Sequence, residues 1–437
     1  MVEKASPPPV WRMPGMPALL LMTAFGFSGF SVLMPTAPLW TLEGGAGTDG
    51  AGLVNGMLML FTVLAQPFVP WALRRFGWGA VLTTGMVLLG APPLVFALSA
   101  DLPSVLALSA VRGLGFGILT VSGSTAVAEL VEPARRGKAV GAYGLAIAVP
   151  QVVLLPAAPW IAQNVGFWPV FLLGALPLLS ILPAFRLAGH LGALPAAPEH
   201  PADEVQTARR FLPLARPMAL LLAVTLAGGA FITFAPQMSS NPGATAIGLL
   251  LLTLTAAVSR WGFGGLVDRF GARPFILPLV VLTMAGLALG AWAVEDPEQT
   301  VIAALIVAMA VVGISYGGLQ NLTLVESFAV VRRRDYGVAS AVWNVGFDAG
   351  TGLGSVLVGA LAAGWSFPSA LLACAAFSLV TVPLALVRHR RPAGVDDPDP
   401  AEPRSGLHSL VEKDGGVEKE GGVPGNEEGS GPADGRG

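Results

Sequence analysis

An all-α membrane protein of twelve transmembrane helices, built as two pseudo-symmetric six-helix bundles, is the fold class this sequence predicts. Three observations predict it. Of 437 residues, 54% are hydrophobic and 12% charged, against the ~25% charged that is usual for a soluble domain. The apolar residues gather into runs of about 20, the length needed to cross a hydrocarbon core. The basic residues between runs fall on alternate loops only, so a single orientation satisfies all of them.

In chain order, a polar leader over 1–15 carries Lys4 and Arg12. The first run, 16–40, exceeds a signal-peptide core and is followed by others like it, so it reads as a helix that stays. The remaining spans are predicted near 51–73, 79–99, 104–130, 139–161, 167–187, 217–237, 244–267, 275–294, 300–326, 337–363 and 368–387. The Pro-rich, acidic segment 188–216, with Pro195, Pro198, Pro201, Asp203 and Glu204, separates an N-terminal bundle (16–187) from a C-terminal one (217–391). Residues 392–437 are rich in Asp, Glu, Pro and Gly, a composition that predicts a disordered acidic tail.

Lys and Arg set the orientation. Arg74 and Arg75, Arg135, Arg136 and Lys138, Arg216, Arg269 and Arg273, Arg332 to Arg334 and Arg388 share one side. The other side carries Glu43, Asp49, Asp101, Glu295, Asp296 and Glu298 and no basic residue. Both termini are therefore expected in the cytoplasm, in a bacterial-type inner membrane.

The halves also echo each other. Arg75-Phe76-Gly77 answers Arg269-Phe270-Gly271, Gly113 to Gly117 answers Gly313 to Gly317, Glu129 answers Glu326, and Gly137 answers Gly337. Order and near-constant offset point to duplicated bundles related about the membrane normal.

The densest motif is Ser259–Pro274, SRWGFGGLVDRFGARP, which holds Gly264, Asp268, Arg269, Gly271 and Arg273 between two apolar runs. Gly264 would let a neighbouring helix approach, and Gly271 would turn a tight loop. This G-x-x-x-D-R-x-G-x-R spacing closely resembles the loop signature of the major facilitator superfamily. ALSAVRGLGFGILT, with Arg112, and ELVEPARRGKAVGAY, with Glu129, Arg136 and Gly137, are similar to further motifs of that family. The resemblance covers nearly all of 16–390 and implies its twelve-helix transporter fold. It also implies a cytoplasmic gate in which Asp268, Arg269, Arg273 and Glu326 form a charge network, with Arg75, Gly77, Glu129 and Arg136 as the first-half counterpart.

Two departures stand out. In PWALRRFGWGAV, Pro70 replaces the motif glycine and Arg74 the motif aspartate, so the first-half gate is wired differently. Helix 5 has Pro150, Pro156 and Pro159 where the antiporter subgroup has a Gly-Pro-x-x-Gly-Gly run, and these prolines should kink it.

Function is expected where ionisable groups enter the membrane, since each charge there costs at least ~2.5–3.5 kcal/mol on insertion scales. Asp348 is the carboxylate placed near mid-membrane, in SAVWNVGFDAGTG, on one face with Trp343, Asn344 and Thr351. It is the candidate to carry a coupling proton; the alternative is a structural partner that never titrates. Arg112 lies at similar depth and either binds an anionic part of the substrate or is a fixture bonded to helix carbonyls. Arg260, four residues before Gly264, is a shallower third charge. The resemblance further implies a cavity lined by helices 1, 4, 7 and 10, which here offer Phe30, Met34, Gln237, Tyr316, Gln320 and Asn321. Ser and Thr on these helices are expected to bond back to their own turns.

The same residues weigh against other classes. The four histidines, His190, His200, His389 and His408, lie in the linker or tail, and Cys374 is the single cysteine, so no metal or catalytic site assembles within the spans. No phosphate-binding loop with Lys-Ser or Lys-Thr appears, so neither a nucleotide cofactor nor an ATP-driven pump is expected. The reading is a monomeric secondary transporter in the lipid bilayer whose partners are a small molecule and protons, not nucleic acid. Export by proton antiport comes first, uptake or facilitated movement second, and a non-transporting sensor third.

Overall fold

The computed structural model describes residues 9–132, 135–193, 212–296, 299–331 and 335–386. The middle of the linker, Arg332 to Arg334, the acidic tail and the side chain of Asp268 lie outside the described residues. The rest is helical almost throughout, as an apolar chain in lipid must be to satisfy its own backbone.

The helices are α1 (Met16–Glu43), α2 (Thr48–Ala65), α3 (Val69–Gly90), α4 (Pro92–Phe96), α5 (Leu102–Leu130), α6 (Arg136–Asn164), α7 (Phe167–Gly174) and α8 (Ile181–Gly192) in the first half. The second half contains α9 (Ala215–Met238), α10 (Pro242–Phe270), α11 (Arg273–Ala293), α12 (Ile302–Ala329), α13 (Tyr336–Gly364), α14 (Phe367–Val380) and α15 (Val382–Leu386). Among the described residues, eleven segments are long and apolar enough to cross a membrane. One of them, Thr48–Phe96, is 49 residues long. At about 1.5 Å per residue it would reach ~73 Å, more than two crossings of a ~30 Å core. It divides at Gly77, whose φ of 79° and ψ of 165° are non-helical, so the chain makes the twelve predicted passes.

Local chemistry explains the ends. Asp101 accepts the Ser104 N–H at 3.0 Å and starts α5, and Asn241 does the same for α10 with Ala244. That bond holds the exposed Asp101 carboxyl below its ordinary range. Gly271 repeats Gly77 with φ 75° and ψ 169°, a region only glycine enters without strain. Gly264, by contrast, admits no close neighbour: its nearest non-local atom is Asn321 Nδ2, at 3.8 Å from where a Cβ would sit. The helix assignment of α6 runs unbroken through Pro150, Pro156 and Pro159.

The halves meet along α2 against α13 and along α6 against α10. Toward the face bearing Glu43 and Asp49, the α2–α13 seam is glycine-packed. A Cβ on Gly352 would lie 2.7 Å from Met59 Cβ, and one on Gly359 would lie 3.0 Å from the Thr48 carbonyl oxygen. Toward the face bearing Arg75 and Arg269, Gly141 and Gly144 on α6, Gly262 and Gly265 on α10 and Gly337 on α13 meet nothing within 4 Å. The halves are thus in close glycine contact toward the acidic face, while these glycines toward the basic face are uncrowded.

Candidate functional site

Asp348 sits where that seam gives way. Gly350 and Gly354 bring α13 against Thr225 and Leu226 of α9, which fixes the helix face and leaves Asp348 4% exposed. Its Oδ2 accepts a hydrogen bond from Gln66 Nε2 at 2.7 Å, so a carboxylate of the second half is bonded to an amide of the first. Gln66 follows the last residue of α2 and is itself buried; its Oε1 has no partner. An amide can donate to an ionised carboxylate through its nitrogen or accept from a protonated one through its oxygen.

Above Asp348 rises an aromatic wall. Phe347 stacks on Trp343 with centroids 5.7 Å apart, and Tyr316 of α12 tilts against Phe347 at 6.1 Å. Trp343 is pinned by its Nε1 donating to Thr323 Oγ1 at 3.1 Å. Arg260 reaches this wall from α10: its Cζ lies 6.0 Å from the Trp343 ring centroid and its Nη1 donates to Gln320 Oε1 at 3.2 Å. Asn321 Nδ2 donates to the Arg260 carbonyl at 3.1 Å and ties α12 to α10. Gln320 and Trp343 are buried, whereas Arg260 is exposed and has no ion pair among the described residues. Asn344, expected on this face, spends its Nδ2 on the Ser340 carbonyl of its own helix.

The first half offers a different interior. Arg112 is 1% exposed, and none of its three side-chain nitrogens has a hydrogen-bond partner; its Cζ lies 5.9 Å from the Phe96 ring centroid. The expected bonds to helix carbonyls are not made. Phe30 and Met34, expected to line an open cavity, are packed inside: Phe30 stacks on Phe116 at 4.2 Å, with Phe27 edge-on, and Met34 is 1% exposed. Both side chains belong to the apolar core, so helix number alone does not decide which face is wet. Gln237 is half-buried with Nε2 unpartnered. Ser28, Ser31 and Thr323 bond back to their own helices. Thr233 instead accepts from Asn55 Nδ2 at 2.9 Å and shares a 2.8 Å bond with Ser355, in a clasp between halves that also includes the Met34 carbonyl.

At the basic face the motif residues are used differently from expectation. Glu326 pairs with Arg216 at 2.8 Å, not with Arg269, and Arg216 Nε also donates to the Leu384 carbonyl at 2.7 Å. Arg136 donates to the Val131 and Ala128 carbonyls and so caps α5, while Glu129 is exposed. Unsatisfied carbonyls at a helix C-terminus draw a cation as a nearby acid would. Arg75 lies over Phe76 and Arg269 over Phe270, an echo between the halves, and Arg273 is exposed.

Gln66, Asn55 and Arg216 were not found from sequence, and Arg260 was noted without a role. A signal for Gln66 existed: the offset that carries Gly77 onto Gly271 also carries Gln66 onto Arg260.

Comparison with known proteins agrees with this architecture. The profile described as Major Facilitator Superfamily matches residues 19–260 and 218–415. The "Probable 4-methylmuconolactone transporter" of Cupriavidus pinatubonensis is 25% identical over 276 residues, which are 60% of this chain and 63% of that protein. The "Uncharacterized MFS-type transporter YhcA" of Bacillus subtilis is 26% identical over 162 residues, 37% of this chain and 27% of that one. The chain thus spans under two thirds of the length of these curated relatives. Among solved structures, a bacterial homologue of the human lysosomal transporter Spinster, in an inward-facing and unoccupied conformation, superposes with a TM-score of 0.64. It is 15% identical, with 87% of this chain and 97% of that one covered. The nucleoside transporter NupG gives 0.61 at 14% identity, over 85% and 98%. At these identities the superpositions establish the fold alone. With its family profile spanning both halves, the chain belongs to the Major Facilitator Superfamily of membrane transporters.

Proposed function

We propose that this protein is a proton-coupled secondary transporter that exports a small organic molecule by alternating access, with Asp348 as the proton-carrying group. The observation that carries the reading is the hydrogen bond between Gln66 and Asp348. It joins a mid-membrane carboxylate to the opposite half, so a change in protonation at Asp348 and a change in the relation of the halves act on one another. Gln66 suits both states, since its idle Oε1 can accept from a protonated carboxyl after the amide turns over.

The tight glycine contacts between the halves lie toward the acidic face, and the basic face we take as cytoplasmic by the distribution of Lys and Arg. The exposed Arg260, on the part of α10 nearer the basic face, would give a compound from the cytoplasm its first contact, as export requires. The two bundles, 16–187 and 217–391, would be the moving bodies of a monomer in the inner membrane, with both termini cytoplasmic. The cargo named for the Cupriavidus relative supports a small organic metabolite.

Proteoliposomes with an imposed pH gradient of either sign test this. Asp348→Asn should lower gradient-driven flux roughly a hundredfold. Undiminished proton-driven flux in that variant would overturn the coupling role, and accumulation only under the opposite gradient would overturn export.

A further inference from the structure

We propose that Arg260 is the anchor of a cargo subsite for an organic carboxylate with a planar apolar body, which rests against Phe347 of the Trp343–Phe347–Tyr316 wall with its charge on the guanidinium. The inference rests on the transporter reading above and names its substrate class.

Three observations carry it. Among the described residues Arg260 is a cation with no ion pair: its polar side-chain partner is the neutral Gln320. It is nevertheless held in place, by Gln320 on Nη1 and by the Trp343 ring 6.0 Å from Cζ. A guanidinium has five N–H donors in a fixed fork. With Nη1 engaged, the edge formed by Nε and Nη2 is left for two parallel bonds to a carboxylate, the geometry in which arginine excels.

Accessibility points the same way. Arg260 is exposed although its guanidinium lies between side chains of α12 and α13, and the next residue, Trp261, turns its ring outward and is 85% exposed. Arg260 is therefore open to a ligand from outside the helix packing. Arg112 is the control: fully buried against Phe96, it has no room for a ligand.

The rest of the site selects the body of the ligand. From Arg260 the wall continues through Trp343, Phe347 and Tyr316, with successive centroids 5.7 and 6.1 Å apart; Trp343 and Tyr316 are buried, and the half-buried Phe347 is the ring that offers a face. Stacking on such a surface favours a planar or aromatic group over a branched polar one. At its far end Asp348 already holds Gln66, and its negative charge would repel a second carboxylate. One acid group and one flat apolar body is the complement.

The test is equilibrium binding to the full-length protein in nanodiscs without any gradient, so that it reads cargo recognition and not coupling. Benzoate and naphthoate are compared by calorimetry with their methyl esters, benzylamine and inorganic phosphate. The acids should bind, and the esters and amine should bind at least about tenfold more weakly, the cost of losing a charge-assisted pair. Arg260→Gln should weaken acid binding about tenfold to a hundredfold, and Arg260→Lys should fall between because it keeps charge but not the fork. Esters or amine binding as well as the acids, or no acid binding below about 10 mM, would overturn the proposal. So would full retention in Arg260→Gln. The acid-to-ester comparison in the unaltered protein keeps the test valid if a variant misfolds. Acid binding without proton-driven flux would leave this subsite standing and remove the coupling reading.

Discussion

The two halves descend from one pattern but have kept different interiors, and their arginines mark the difference. In the first half Arg112 is sealed beside Phe96 with no polar partner, and the Phe27, Phe30 and Phe116 rings fill the space a ligand would need. In the second half Arg260 is held by Gln320 and Trp343 at an accessible surface, with Asp348 farther along the same wall. What differs is less the inventory than the solvation. A charge with neighbours that orient it and an opening beside it can act on a ligand; a charge without either is a cost to the fold. Duplication supplied two frames, and the candidate polar site lies in one, while the other lends the amides of Gln66 and Asn55.

The contrast predicts opposite behaviour for the two arginines, and this is its most severe test. Arg112→Met should raise the midpoint of thermal unfolding in detergent, by the equivalent of about 1–4 kcal/mol, because a buried charge without a partner is replaced by an apolar chain of similar length. A lowered midpoint would show that Arg112 is paired in the working protein and would break the contrast. Next in size is the turn that both halves share. Gly77→Ala and Gly271→Ala should each cost about 1–3 kcal/mol by the same measurement, since both glycines occupy one strained backbone region and neither is sterically crowded. Unequal costs would mean the loops have diverged in what they hold. No larger is the effect at the clasp between halves: Asn55→Ala removes two hydrogen bonds and should cost about 0.5–1.5 kcal/mol for each. Distances between spin labels on the acidic face should lengthen as the closed side loosens; unchanged distances would show that the glycine seam alone holds it.

Much of this was legible beforehand, for identifiable reasons. Span number and loop turns follow from the length of apolar runs and from Gly77 and Gly271, which are local properties. Asp348 was legible because a lone acid in an apolar run has few explanations. Its partner was not, because Gln66 is 282 residues away and looks like any polar residue near a helix end. The family resemblance implies a network of Glu326 with Asp268, Arg269 and Arg273, yet Arg216 arrives from α9 and pairs with Glu326. Phe30 and Met34 were misplaced because a helix that is apolar all round carries no mark of its inner face.

In the proposed alternating-access motion, the bond between Gln66 and Asp348 would lie near the pivot of the bundles, close to the Gly352–Met59 contact. Loops at either end travel farthest in such a motion, whereas groups beside the pivot shift little. A donor and acceptor placed there can stay within reach of each other through a full stroke, first under one mouth of the path and then under the other.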